Sequence, residues 1–175
     1  MTNKKNVIAI VGDSGSGKTF ASMYLQEMFG WEAIVSYTTR PMRKGERNGR
    51  EHWFVKPSQV PPQEKMCAYT KFGGYEYWTE WGQFQTLFDC VYVIDEKGLI
   101  GLMAKEQTPV SFNLITIKIK RDQKDGIDIE RQERDKDRVQ LSDEFYDYVI
   151  DNNGTLEAFR ATLYLTAQCI IQKEK

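Results

Sequence analysis

One short stretch near the beginning of the chain constrains the fold more than any other feature. The apolar run Val7–Val11 leads into Gly12–Thr19, which reads GDSGSGKT, and a segment with helical character follows as far as Phe29. Gly-x-x-x-x-Gly-Lys-Thr between a buried strand and a helix is typical of a loop that binds phosphate through its backbone amides. We therefore predict an α/β fold whose first strand ends at an anion-binding site.

Each residue type in this loop has a physical role. Glycine allows successive N–H groups to turn toward one anion, and the following helix adds unpaired amides and the positive end of its dipole. Lys18 can reach the outer phosphates of a nucleoside triphosphate, and the Thr19 hydroxyl can coordinate Mg²⁺. ATP and Mg²⁺ are therefore the predicted cofactors, bound by Gly12, Ser14, Gly15, Ser16, Gly17, Lys18 and Thr19.

The remainder of the chain mostly alternates between short apolar runs and helical patterns. The apolar runs are Ala33–Val35, Val91–Ile94, Leu114–Ile119 and Tyr148–Ile150, and the helical patterns are Glu96–Ala104, a segment around Glu130–Phe145, and Leu156–Ile171. Strands that alternate with helices indicate a parallel sheet with helices on both faces.

Composition limits the classes of protein to which the chain can belong. With 175 residues, 41% of them hydrophobic, and a net charge of −1, it fits a single globular domain over residues 1–175. The even charge balance argues against a nucleic acid polymer or a membrane surface as partner. Three scattered cysteines and one histidine are too few for a disulfide framework or a histidine metal cluster. The N-terminal apolar run is too short for a signal peptide, so a cytoplasmic location is expected.

Residues 37–80 depart from the strand–helix alternation. Short strand-like pieces at Glu51–Val55, Ala68–Phe72 and Tyr75–Thr79 predict an inserted lobe of small antiparallel strands. In the same region Arg40 and Arg43 lie on a loop that a proline stiffens. Two guanidinium groups on a stiff loop suit a phosphate monoester, although a solvated basic loop is an equally good interpretation of an arginine-rich segment alone.

These segments together carry a family resemblance. The stretch SYTTRPMRKGERNGREHWFV at Ser36–Val55, with GDSGSGKT before it and FGGYEYWT after it, resembles the guanylate kinase family. The resemblance implies an α/β core with a phosphate loop, a lobe at residues 37–80 that binds a nucleoside monophosphate, and an arginine-bearing lid. It also implies transfer of the γ-phosphoryl group of ATP to GMP or dGMP with Mg²⁺.

The resemblance assigns acceptor-binding roles to individual residues. Arg40, Arg43 and Tyr77 correspond to groups that bind the acceptor phosphate, and Ser36, Thr79 and Asp95 correspond to groups near the base. His52 stands where the family has a phosphate-binding tyrosine, and we include it in the substrate-binding set. The family's base-reading glutamate is replaced by Ala68, the first aspartate of its DID segment by Val93, and a glycine by Trp78.

A second charged segment, residues 122–138, is a candidate lid. Arg131, Arg134 and Arg138 follow one another at i, i+3 and i+7, which places them on one face of a helix. Three guanidinium groups on one face could close over a triphosphate, and with Lys18 they form the predicted catalytic set. The alternative is a solvated helix stabilised by local ion pairs.

We therefore predict a nucleoside monophosphate kinase that acts on GMP, dGMP or a related acceptor. Two alternatives stay open at this point. A kinase similar to the ribose 1,5-bisphosphate kinases would not need to read a base, which suits Ala68. A non-catalytic guanylate kinase-like binding module is the other, although such domains tend to lose the loop lysine and glycines that are present here.

Overall fold

The computed structural model of the chain describes residues 4–85, 88–104, 110–122 and 138–173. Within these ranges lie nine strands and three α-helices. The strands are β1 (Asn6–Val11), β2 (Glu32–Ile34), β3 (Tyr37–Thr38), β4 (Trp53–Phe54), β5 (Met66–Phe72), β6 (Tyr75–Glu80), β7 (Cys90–Val93), β8 (Asn113–Lys120) and β9 (Tyr148–Asp151). The helices are α1 (Lys18–Phe29), α2 (Glu96–Met103) and α3 (Leu156–Gln172).

The main sheet is parallel throughout and has the strand order β2-β7-β1-β8-β9. Every apolar run that predicted a parallel strand overlaps one of these five strands, and the predicted α/β phosphate-loop kinase fold is confirmed. The central strand β1 is buried along its whole length. That explains why its sequence is continuously apolar rather than alternating, because a central parallel strand is covered on both faces.

Helices cover both faces of this sheet. Alternate residues of β1 enter two separate cores: Ala9 packs in the cluster that includes Leu99 of α2, and Ile10 packs in the cluster that includes Leu25 of α1 and Phe159 of α3. The period of two along the strand therefore divides one apolar run between the two layers of helix.

The order of the strands determines where a ligand can bind. The chain leaves the carboxyl end of β1 toward β2 on one side, and later crosses from β7 through α2 to β8 on the other side of β1. A crevice forms at the carboxyl edge of a sheet where successive connections diverge in this way. The Gly12–Gly17 loop follows β1 at this edge, and Asp95 follows β7 there.

The segment at residues 37–80 forms a second, four-stranded sheet with the order β4-β3-β6-β5. β6 is antiparallel to both β3 and β5, as predicted. β3 and β4, however, are parallel, so the expectation of purely antiparallel strands is wrong for this pair. The connection at residues 39–52 is long enough to return the chain to the start of β3, which a tight hairpin turn cannot do.

The predicted lid falls almost entirely outside the described residues, and so do Arg131 and Arg134. Where the segment is described again, residues 138–142 form no helix, and one 3-10 turn follows at Asp143–Phe145. The predicted helix around Glu130–Phe145 is therefore wrong for its described part. Lys118 Nζ donates to the Leu141 carbonyl oxygen at 3.0 Å, and Leu141 packs against the core, so tertiary contacts determine the conformation here.

None of the helices in the described ranges is long and apolar enough to cross a bilayer.

Candidate active site

The loop between β1 and α1 has a backbone conformation that requires glycine. Gly12, Gly15 and Gly17 have φ angles of 151°, 76° and 108°, a region in which a residue with a side chain is strained. A Cβ atom on Gly12 would lie 2.3 Å from the Ile119 carbonyl oxygen. Gly17 is the N-cap residue of α1, and no side chain of the described residues caps that helix end. The first-turn amides are therefore available to an anion.

A buried serine lies within the loop. Ser16 is 1% exposed, and its Oγ makes no hydrogen bond to any residue that the structure describes. Asn152, directly after β9, donates from Nδ2 to the Ser16 carbonyl oxygen at 2.8 Å and so ties the loop to the far side of the sheet. A buried hydroxyl without a protein partner is expected where a ligand supplies the partner.

The loop lysine lies against the loop itself. Lys18 Nζ donates to the carbonyl oxygens of Gly12 and Asp13 at 2.7 and 2.6 Å. The ammonium group is therefore at the mouth of the loop, beside the backbone that would surround an anion. A small rotation of this flexible side chain carries it from the carbonyl oxygens to a bound phosphate.

Lys18 is one of several residues that line two adjacent openings. An outer cleft of about 900 Å³ runs from Gly15, Gly17 and Thr19 on the loop to the arginine-rich segment. An inner cavity of about 190 Å³ lies between β7 and the second sheet. The residues that line both are Lys18, Ser36, Arg40, Arg43, His52 and Val93. Anything bound at the loop therefore faces whatever occupies the inner cavity.

Arg40, one of the predicted phosphate-binding arginines, is 5% exposed and is held by an acidic neighbour. Both terminal nitrogens of its guanidinium group donate to Glu46, each at 2.9 Å, and Glu46 also accepts from the backbone N–H of Arg43 at 2.7 Å. Burial alone would lower the pKa of Arg40, but hydrogen bonding to Glu46 and its charge outweigh this and raise it. Glu46 belongs to no sequence motif, and its only signal in the sequence is its place in the same loop as Arg40.

His52 lies in the same wall, with Nδ1 2.9 Å from the Ser36 hydroxyl and its ring in edge contact with Tyr77. Burial, reinforced by the positive charge of Arg40, lowers the pKa of His52 to about 4. The imidazole is therefore neutral near pH 7. It can donate one N–H to a phosphate oxygen, and an approaching dianion would raise its proton affinity.

The lowered pKa of His52 predicts a pH dependence of stability. The unfolded state takes up a proton near the ordinary value of 6.5 and the folded state only near about 4, so stability is lost as pH falls through this window. We expect this group to make the protein about 2 kcal/mol less stable at about pH 5 than at about pH 7. Urea unfolding at both pH values, with His52→Gln as the variant that removes the difference, measures the effect. An equal pH difference in the variant would show that another group is responsible.

The inner end of the cavity is mainly aromatic and apolar. Ala68 lines it at 3% exposure, and Trp78 is 2% exposed and stacks on Tyr37 with ring centroids 5.5 Å apart. Trp78 Nε1 has no hydrogen-bond partner among the described residues. Other aromatic and β-branched side chains that line the cavity are Tyr69, Thr70, Phe72, Tyr92, Val93 and Ile94.

Asp95 and Thr79, which are both predicted to lie near the base, differ from each other in their surroundings. Asp95 lines the cavity and is also the N-cap of α2, where its Oδ1 accepts from Gly98 N–H at 2.7 Å. Thr79 is fully buried, and its hydroxyl lies 3.1 Å from both Cys67 Sγ and Tyr92 OH. The structure thus places Thr79 behind the cavity wall formed by Tyr92, because its side chain points into the core.

The last lid arginine, Arg138, is described and lies in the site. Its side chain is 9% exposed, the residue lines the inner cavity, and its guanidinium group donates to the Gly12 carbonyl oxygen at 2.8 Å. It also pairs with Glu96, a buried residue of α2 that sequence analysis did not single out. Arg138 and Lys18 therefore contact the same carbonyl oxygen.

Comparison with known proteins identifies this architecture. A family model described as guanylate kinase matches residues 4–164. The chain belongs to the guanylate kinase family. It is accordingly an ATP-dependent nucleoside monophosphate kinase.

Individual relatives agree with the family assignment. The guanylate kinase of Neisseria gonorrhoeae is 26% identical over 98% of this chain and 92% of its own length. That of Legionella pneumophila strain Paris is 31% identical over 86% of this chain and 80% of its own length. The crystal structure of guanylate kinase from Anaplasma phagocytophilum has the same fold, with a TM-score of 0.68 at 19% identity, covering 98% of this chain and 87% of that one.

Within this guanylate kinase family site, the structure brings most of the predicted residues together. Those that line the inner cavity are Ser14, Lys18, Ser36, Arg40, Arg43, His52, Tyr77, Asp95 and Arg138. Gly15, Gly17 and Thr19 line the outer cleft. Arg131 and Arg134 lie outside the described residues. Three further residues join the predicted set because of their contacts. Glu96 and Asn152 contact segments that are distant in sequence, and Glu46 contacts Arg40 within the same loop.

Proposed function

We propose that this chain transfers the γ-phosphoryl group of ATP to GMP, dGMP or a related nucleoside monophosphate. The observation that best supports the proposal is the position of Lys18, which lines both the loop-side cleft and the inner cavity. A triphosphate on the Gly12–Thr19 loop and a monophosphate beside His52 would therefore direct their reacting ends toward one ammonium group. In this proposal residues 37–80 bind the acceptor and residues 122–138 form the lid.

Phosphoryl transfer depends on alignment of the two phosphates and on positive charge around them more than on a general base. An acceptor phosphate oxygen attacks the γ-phosphorus, and the bond from that phosphorus to the oxygen bridging it to the β-phosphate breaks, so that ADP leaves. Because the attacking oxygen is already ionised, no general base is required. Lys18, Arg131, Arg134 and Arg138 would neutralise the negative charge on the transferring group.

The acceptor phosphate would lie against the wall that carries Arg40, Arg43, His52 and Tyr77. Glu46 keeps the guanidinium plane of Arg40 fixed before any ligand arrives, which reduces the entropy lost on binding. The Ser36 contact orients the imidazole of His52 in the same way. A phosphate dianion thus meets donors that are already in place.

The loop also fits a magnesium ion. Thr19, at the start of α1, lines the outer cleft and supplies a hydroxyl oxygen. Among the described residues there is no cluster of three or more histidine, cysteine or carboxylate side chains that could hold a metal. This suits Mg²⁺, which usually takes one or two protein oxygens and completes its octahedron with phosphate oxygens and water. The Thr19 hydroxyl would hold an ion that is bound there with ATP, and the ion would supply positive charge that offsets the charge of the phosphates.

The lining of the inner cavity supports a relaxed choice of base. Guanine offers donors at N1 and N2, and a carboxylate is their natural acceptor. Ala68 offers none, and one oxygen of the Asp95 carboxylate is used to cap α2. Aromatic side chains nearby would bind any base by stacking. We therefore expect guanine to be preferred over other bases by less than the roughly 10⁴-fold that a dedicated hydrogen-bonding site reaches.

A coupled assay of ADP release tests the proposal. The acceptors would be GMP, dGMP, AMP, CMP, dTMP and ribose 1,5-bisphosphate, each with Mg²⁺ and ATP. Turnover with one or more nucleoside monophosphates supports the proposed function. Turnover confined to the sugar bisphosphate would overturn the nucleotide assignment, and absence of turnover with every acceptor would overturn transfer itself.

Ala68→Glu tests the expected role of this position in base choice. A carboxylate here should accept from guanine and raise the ratio of kcat/KM for GMP to that for AMP by about tenfold or more. The matched variant Ala68→Gln adds nearly the same volume without the charge, and a smaller gain is expected. If both variants leave the ratio unchanged, the base does not lie beside residue 68.

A further inference from the structure

A buried ion pair lies directly behind the phosphate loop. Arg138 donates to Glu96 Oε2 from both Nε and a terminal nitrogen, at 3.2 and 2.7 Å. The two side chains are only 9% and 2% exposed. Glu96 is in the first turn of α2, and the pair joins this helix to the end of the predicted lid segment.

The same guanidinium group reaches the loop that would bind the triphosphate. Its second terminal nitrogen donates to the Gly12 carbonyl oxygen at 2.8 Å, which also accepts from Lys18 Nζ at 2.7 Å. Arg138 and Lys18 are therefore held on one backbone atom, and both line the inner cavity. Among the residues that the structure describes, Glu96 lines neither the cleft nor the cavity, and its carboxylate reaches the site through Arg138.

The chemistry of the ion pair indicates that it fixes the position of Arg138 more than it stabilises the fold. Removing two charges from water costs several kcal/mol, and an apolar pair of similar volume usually stabilises a fold as well or better. Another polar group is buried beside the pair: Tyr146 is 7% exposed, and burial together with the nearby Glu96 carboxylate raises the pKa of Tyr146 to about 12. A fixed carboxylate in this place strongly restricts where the guanidinium group can lie.

We infer that Glu96 is a positioning residue that holds Arg138 beside Gly12 and Lys18, so that a second fixed cation faces the transferring phosphoryl group. The inference rests on the proposed function, because it assigns a role within phosphoryl transfer. In this role Glu96 would act through the arginine and would not itself contact either nucleotide. Its carboxylate sets the orientation of the guanidinium group, and a misplacement of about 1 Å at a reacting centre is enough to lower a rate by about 10²-fold.

A double-mutant cycle with Glu96→Gln and Arg138→Gln tests this role. Glu96→Gln keeps the shape of the side chain, and we expect kcat to fall about tenfold or more while the acceptor KM stays within about twofold. Arg138→Gln should lower kcat about 10²-fold. In the double variant kcat should be no lower than in Arg138→Gln alone, because Glu96 acts only through the arginine.

The control is Asp143→Asn, which removes a carboxylate that pairs with Lys118 and Lys120 outside the site. It should leave kcat unchanged. An unchanged kcat in Glu96→Gln, measured per folded molecule, would overturn the inference. The inference would also be overturned if adding Glu96→Gln to Arg138→Gln lowered kcat by the same factor as Glu96→Gln does in the wild type.

Calorimetric titration of Mg·ATP separates this inference from the proposed function. If the wild-type protein transfers phosphoryl to none of the acceptors, the proposed function fails, but the titration still tests the contact chain from Glu96 to Gly12. We expect Glu96→Gln to weaken Mg·ATP binding about tenfold, because the loop carbonyl loses a fixed partner. Equal affinity in Glu96→Gln, Asp143→Asn and the wild type would overturn the inference.

Discussion

Replacing Lys18 with alanine is expected to lower kcat for phosphoryl transfer by about 10³-fold. The Lys18 side chain lines both the loop-side cleft and the inner cavity, and its ammonium group lies at the phosphate loop, where it donates to the carbonyl oxygens of Gly12 and Asp13. Loss of one preorganised donor at a transition-state oxyanion typically costs about 10²–10³ in rate, and here a full positive charge is lost as well. Steady-state assays of ADP release with saturating acceptor measure the effect.

Lys4→Ala provides the matched control for this variant. Lys4 is exposed and precedes β1, at the end of the strand opposite to the loop. The substitution Lys4→Ala removes the same charge from the protein but leaves the cleft unchanged, so kcat should be unchanged. Transfer in Lys18→Ala at a rate close to that of the wild type would contradict the mechanism, whatever the result for Lys4→Ala.

Gly12→Ala should have the largest effect on stability. A Cβ atom there would lie 2.3 Å from the Ile119 carbonyl oxygen and 2.7 Å from Ser16 Oγ, and the φ of 151° adds backbone strain. Because the first contact is with the backbone of the central sheet, it cannot be relieved by a side-chain rotation. We expect a loss of about 3 kcal/mol or more in the free energy of unfolding, measured by urea denaturation.

Gly30→Ala separates the clash from the strain. Gly30 also has a positive φ, of 69°, but a Cβ atom there would meet nothing within 4 Å. This variant should therefore cost only the strain of the left-handed conformation, about 1 kcal/mol. A loss in Gly12→Ala no greater than that in Gly30→Ala would show that the loop can move away from β8.

Local patterns account for the elements that the sequence predicts correctly. The boundaries of α1 coincide with the predicted Lys18 and Phe29, because a glycine in the left-handed conformation stands at each end of the helix. The apolar runs predict the parallel strands because each run supplies side chains to the core: the central strand β1 is buried along its whole length, and the edge strands β2 and β9 bury Ile34 and Ile150. The helix expected around Glu130–Phe145 is wrong over residues 138–145, where charge spacing has less influence than contacts with β8 and α2.

The site divides in the same way. The sequence by itself determined the glycine loop and the first helix, because each depends on residues that are neighbours along the chain. Only the tertiary structure decided that Glu46 occupies the guanidinium fork of Arg40, that the Thr79 hydroxyl faces Tyr92, and that Glu96 joins Arg138 to Gly12. Such choices depend on which polar side chains the fold brings together and buries, and a buried charge or hydroxyl bonds to whichever partner lies within reach.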